Sequence, residues 1–255
     1  MITPLFRGAG YFAQGVGLLR QPKLRNYLIM PLIINVLLFV VASWLLIEQS
    51  EPLLRWLQDL LPTWLEWLGS LISFILMALL TLLALLLVSL LAGLVAAPFN
   101  ALLAEAVERY CDGDAYQSSE MSLTQILKST PHLLTEELRK LRYALFWAIP
   151  LFIISWIPLL NLAAPFLWFL YGAWMLARSY LAYALDNHNI PFNEQHRSFA
   201  SRRPLLLGFG SLTLLMTMVP LLNFVVIPAA VAGATTLWVK ELRQVLNANP
   251  TDVSS

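Results

Sequence analysis

Residues 71–94 read LISFILMALLTLLALLLVSLLAGL, a stretch with no charged side chain and apolar residues on every helical face. At 1.5 Å of rise per residue, about 20 apolar residues cross a hydrocarbon core roughly 30 Å thick. The stretch therefore predicts one long, tilted membrane span that ends near Gly93–Pro98. The whole chain agrees with it: of 255 residues, 59% are hydrophobic and 12% charged, and the mean hydropathy is +0.70. Average soluble domains carry about 25% charged residues. Half the usual surface charge is missing, and the chain reads as an all-α integral membrane protein.

Four runs lack Asp, Glu, Lys and Arg altogether, at 26–47, 67–104, 143–177 and 204–239. The first suits one crossing. The second is too long for one, so a separate helix, PFNALLAEAVERY, is expected to start at Pro98, a residue favoured in a first turn. The third and fourth runs are each broken near the middle by the same signature. Pro158-Leu-Leu-Asn161 is followed by Pro165, and Pro220-Leu-Leu-Asn223 by Pro228. Two prolines bracketing an asparagine predict a turn. The arms before these turns, 143–157 and 204–219, reach only about 22–24 Å, short of the bilayer core. They predict two re-entrant helical hairpins whose turns are buried in protein or line water. Asn161 and Asn223 are expected to cap those turns.

The expected organisation is a single membrane domain over 1–255. An interfacial N-terminal segment occupies 1–25, and two long transmembrane helices occupy 26–47 and 67–97. An extramembrane helical region fills 98–142, and the hairpins occupy 143–185 and 204–246. Gly8, Gly10, Gly15 and Gly17 interrupt residues 1–19, which read as an interfacial stretch rather than a cleaved signal peptide. Loop charges place the N-terminus and 178–203 inside and the acidic segment 48–66 outside. That assigns a multi-pass protein.

Few side chains are available for chemistry. There is no HExxH, GxSxG, Walker loop, CxxC pair or dinucleotide-binding glycine motif. His132, His188 and His196 are scattered over expected loops without metal-ligand spacing, and Cys111 is the one cysteine. No catalytic residue, metal or cofactor is expected, and the basic face that a nucleic-acid partner needs is missing. A protein of this composition binds and conducts a solute.

The basic segment RQPKLRN, residues 20–26, precedes the first span, and residues 1–47 contain four basic and no acidic side chains. It has two readings. One is a positive-inside anchor that contacts lipid headgroups. The other is an anion site. Pro22 at the first helical position leaves the amides of Lys23, Leu24 and Arg25 without intrahelical partners, and the helix dipole favours negative charge there. Arg25 adds a two-pronged grip for an oxyanion, and Asn26 adds amide donors. Glu105 and Arg109 lie one helical turn apart past the long span, with Asn100 close by. They are either a surface ion pair or the mouth of a path. Asn35, about ten residues into the first crossing, either lines a path or bonds a neighbouring helix.

Several stretches taken together resemble the CysZ-type sulfate permeases of bacterial inner membranes. They are GYFAQGVGLLRQPKLRNYLIMPLIIN, AAPFNALLAE, APFLWFLYGAWMLA, DNHNIPF and MVPLLNFVVIPAAVAGATTLW, in the same order from about residue 8 to about 243. The resemblance implies sulfate uptake that feeds cysteine synthesis without a nucleotide-binding subunit. It also implies two long transmembrane helices, two partly crossing hairpins, and a homo-oligomer with antiparallel protomers in membrane lipid. The family places sulfate after the proline of the first long helix, at a Gly-(Leu/Ile)-Arg-Arg pattern. Here the pattern is Lys23-Leu24-Arg25-Asn26, which keeps the leucine and first arginine and replaces the glycine and second arginine. It implies Arg25, Leu24, Asn26 and Lys23 as sulfate ligands; Asn35, Asn100, Glu105 and Arg109, read from the residues themselves, are the candidates for the conduction path. The rival expectation is a membrane scaffold or regulator that transports nothing and whose basic segment only sets topology.

Overall fold

The computed structural model describes residues 2–59, 69–113, 123–219 and 222–247. Among these the regular secondary structure is all helical. In chain order the helices are α1 (Ile2–Leu18), α2 (Pro22–Asp59), α3 (Gly69–Asp112), α4 (Leu123–Trp156), α5 (Ala164–Asn187), α6 (Phe192–Ser201), α7 (Arg203–Thr217), α8 (Asn223–Leu237) and α9 (Arg243–Asn247). A π-helical turn, Trp238–Leu242, joins α8 to α9. The chain is an all-α membrane protein. It divides into a bundle of residues 1–28 and 100–255 and a second unit of residues 29–99.

The second unit comprises most of α2 and α3. Ile33–Pro52 and Leu71–Asp112 are long and apolar enough to cross a bilayer, and the most apolar window of each is left uncovered by the protein itself. Ile47, Phe74 and Leu90 are 73%, 72% and 66% exposed. Apolar surface on this scale is stable against lipid or a neighbouring chain, not against water. The hydroxyls of Thr81 and Ser89 donate back to the carbonyls of Met77 (2.8 Å) and Leu85 (2.7 Å), so neither is left unbonded in an apolar medium.

Helix boundaries differ from the sequence expectation in a consistent direction. α3 passes straight through Pro98 instead of restarting there. The proline removes one backbone bond, but the residues on both sides are strong helix formers such as alanine and leucine, and the helix absorbs the loss. α2 continues beyond residue 47 to Asp59, and α5 runs through Arg178 to Asn187. A charge ends an apolar run, yet it does not end the hydrogen-bonded ladder. His132 and His196, expected on loops, lie in α4 and α6.

α4 and α5 form a helical hairpin that turns at residues 157–163. Trp168 Nε1 donates to Ser155 Oγ, Tyr171 Oη to the Ala144 carbonyl, and Trp174 Nε1 to Tyr143 Oη, each at 3.0 Å. The turn is closed by backbone bonds, with Asn161 N–H donating to Ile157 O and Ala163 N–H to Leu160 O, both at 3.0 Å. Asn161 therefore makes no side-chain cap. Leu159 takes a positive φ of 70° and is 83% exposed in the single chain. α7 and α8 form the second helical pair. Pro220 lies outside the described residues, Asn223 opens α8 without capping it, and Pro228 sits inside that helix rather than at its start. Val225–Leu246 is a third stretch long and apolar enough to span a membrane, but most of it is buried in the bundle.

The glycine-rich N-terminal stretch is not interrupted. It is the single helix α1, packed against α7 and α8, with Tyr11 and Phe12 in the core. A Cβ at Gly8 would overlap the Leu205 carbonyl, one at Gly15 the Ala229 carbonyl, and one at Gly208 the Leu5 carbonyl. Backbones meet at these points, as small residues permit. Tyr11 Oη donates to Glu241 at 2.8 Å, and Arg7 pairs with the same carboxylate. Burial and that bond push the Tyr11 phenol up to about 12, so it remains a donor.

Gly8→Ala and Gly15→Ala are expected to lower the thermal midpoint in detergent by roughly 5 °C or more, since overpacking costs about 1–3 kcal/mol. Nothing lies within 4 Å of a Cβ at Gly10 or Gly17. Alanine there should stabilise by about 0.5–1 kcal/mol through helix propensity. Equal effects at all four positions would contradict this packing.

Candidate functional site

Within the bundle, the start of α2 and the last turns of α3 line one cavity. α1 ends in a short turn, where Arg20 N–H donates to Gly17 O (3.2 Å) and Gln21 N–H to Leu18 O (2.9 Å). α2 then begins at Pro22. Leu19 and Leu24, only 6% and 2% exposed, pin the turn to the core. This anchoring holds the neighbouring Lys23 at the cavity wall.

The C-terminal part of α3 has two faces. Leu103, Ala104, Val107 and Glu108 are buried. The opposite face presents Leu102, Glu105, Ala106, Arg109 and Tyr110, which line a cavity of about 510 Å³ with Lys23, Leu24 and Tyr27. Glu105 and Arg109 pair at 2.8 Å across one helical turn. The charged lining is thus two cations and one carboxylate, with the phenol groups of Tyr27 and Tyr110 as further hydrogen-bonding groups.

The amide arrangement differs from the expectation. Leu24 and Arg25 N–H both donate to the Gln21 carbonyl, at 3.0 and 3.1 Å, and of the three amides the Lys23 N–H alone has no backbone acceptor among the described residues. Gln21 is the residue just before the helix, so Arg25 already lies one residue past the unpaired first turn, and a tight i→i+3 bond takes Leu24. Side-chain charge, rather than a fan of bare amides, therefore dominates the site. Arg25 and Asn26 are exposed and do not line the cavity. Asn100 is buried and donates to Tyr183 Oη at 3.3 Å. Asn35 belongs to the other unit, where its Oδ1 is buried without a partner among the described residues.

Behind the cavity wall lies a cluster that the sequence did not disclose. Glu108, 1% exposed, accepts from His188 Nε2 at 2.7 and 2.9 Å and pairs with Arg243, which also bonds Asp112. Asn187 Nδ2 donates to the Ala101 carbonyl at 3.0 Å. These contacts clamp the tail of α3 to α5 and to the segment after α8. The available signal was the periodicity that places Glu108 on the apolar face with Ala104 and Val107. A carboxylate on a core face requires a cation. Glu108→Ala should destabilise the protein by about 3 kcal/mol, because it leaves the Arg243 and His188 side chains without their shared carboxylate. A thermal midpoint equal to wild type would contradict the clamp.

One comparison with known families bears on this site. Residues 11–228 match the family described as sulfate transporter CysZ/etoposide-induced protein 2.4. The match covers the α1–α2 turn, the cavity-lining tail of α3, the α4–α5 hairpin and α7, and it ends inside α8. The chain belongs to this family, which includes sulfate transporters.

Proposed function

We propose that the protein carries sulfate inward across a bacterial inner membrane, as a supply for cysteine synthesis, and that the ion is taken up at the cavity beside the first turn of α2. One observation carries this proposal: Lys23 from α2 and Arg109 from α3 line the same cavity. Sulfate is a tetrahedral dianion with oxygen acceptors on every side. It suits a guanidinium fork, an ammonium and phenol donors better than it suits any single group.

Arg25 and Asn26 stand exposed on the same first turns and gather the anion at the entrance through long-range attraction. Glu105 holds Arg109 in place, and its negative charge keeps binding weak enough for release, as conduction requires. Leu24 acts by burying its side chain and fixing the helix start. Asn35 and Asn100 are path residues in this account. The uncovered apolar faces of α2 and α3 contact lipid and other copies of the chain, antiparallel protomers among them. The activity is transport, with no catalytic step.

Reconstituted protein should show sulfate uptake above empty liposomes. Lys23→Ala and Arg109→Ala should each lower the initial rate about tenfold, the equivalent of one charge-assisted hydrogen bond. Arg25→Ala should slow uptake more at low than at high ionic strength, because its attraction is screened. No flux above empty vesicles would favour the scaffold alternative, and full flux in the Lys23 and Arg109 variants would move the site elsewhere.

A further inference from the structure

Arg178 is 7% exposed, and among the described residues no carboxylate lies within ion-pair distance of it. Arg7, Lys140 and Arg243 each meet an acid: Glu241, Asp186, and Glu108 with Asp112. The Arg178 guanidinium is instead enclosed by rings. Its centre lies 4.3 Å from the Tyr143 ring, 5.0 Å from Phe192 and 5.2 Å from Phe199. Its Nη1 donates to His196 Nδ1 at 3.0 Å. Because arginine can only donate, this bond fixes His196 as the neutral tautomer. Burial and the nearby Arg178 and Arg203 hold the imidazole below the ordinary histidine range, consistent with that tautomer.

Cation–π contacts and the neutral partners His196 and Tyr143 do not supply the counter-charge that a desolvated guanidinium calls for. A cavity of about 50 Å³ opens beside it, lined by Arg178, Ser179, Lys140, Gln195 and apolar neighbours. Asp186, the carboxylate that meets the lining residues Lys140 and Gln195, is already engaged by Lys140 Nζ and Gln195 Nε2, both at 2.8 Å. This cavity shares no lining residue with the larger one at α2.

We propose that Arg178, at the junction of α4, α5 and α6, anchors a second anion site that takes one small inorganic anion. The space suits a halide or a tetrahedral oxyanion and excludes organic solutes. The bound ion lies against spare guanidinium N–H groups and the Ser179 hydroxyl, and it ties α6 to the α4–α5 hairpin. This site does not depend on the transport proposal.

The test is the thermal midpoint of the full chain in lipid-free detergent, with chloride or sulfate compared against gluconate at equal ionic strength. At saturation one of the two anions should raise the midpoint by about 5 °C. The rise should persist in the Lys23→Ala/Arg109→Ala variant and vanish in Arg178→Gln. A full rise in Arg178→Gln, or none once the α2 cavity charges are removed, would overturn the proposal. If Arg178→Gln does not fold, wild-type crystals soaked in bromide or selenate, matched to the stabilising anion, decide. An anomalous peak at the guanidinium supports the site, and its absence overturns it.

Discussion

The close approach of α1 to α7 and α8 is the constraint on which the rest of the bundle depends. At Gly8, Gly15 and Gly208 a helix backbone lies where a Cβ would otherwise be. In a protein with few polar side chains, contact area gained by backbone proximity replaces the salt bridges and polar surface of a soluble domain. Only with α1 seated this way does the chain leave it at Leu18 and re-enter a helix at Pro22. Leu19 and Leu24 then face the core and Lys23 faces the cavity. The α1–α2 turn is thus positioned by Gly8 and Gly15, several residues upstream of it.

The second support comes from the opposite wall. The tail of α3 divides its residues by helical period, with Leu103, Ala104, Val107 and Glu108 inward and Glu105, Ala106 and Arg109 toward the cavity. Glu108 inward is costly unless its charge is met, and His188 and Arg243 meet it. The reward is register. A helix tied through a buried carboxylate cannot rotate without breaking that tie, so Arg109 stays on the cavity face. Two cations from distant parts of the sequence are brought together by packing, which suits the proposed weak hold on a passing anion.

Hydropathy made the membrane class and the all-helical fold legible, and paired proline–asparagine turns disclosed that each of the last two apolar runs folds back on itself. What periodicity and charge could not show was where helices end. Pro98 and Arg178 mark changes of environment, and the backbone ladder continues through both. The glycines of residues 1–19 looked like interruptions because their partners, Leu205 and Ala229, lie some 200 residues away. Lys23, Leu24, Glu105 and Arg109 were all nameable from sequence, but as two separate candidates. Their meeting at one cavity is a tertiary fact. The His188–Glu108–Arg243 clamp was hidden for the same reason.

The central claim is that the anion occupies the cavity between the first turn of α2 and the tail of α3. The most direct measurement is sulfate protection of a reporter thiol on the cavity wall. In a chain with Cys111→Ala, a cysteine at Ala106 faces the cavity, and one at exposed Ala13 serves as control. Sulfate should slow modification of the Ala106→Cys thiol by a charged methanethiosulfonate several-fold and leave the Ala13→Cys rate unchanged. Equal rates at Ala106→Cys with and without sulfate would contradict the account.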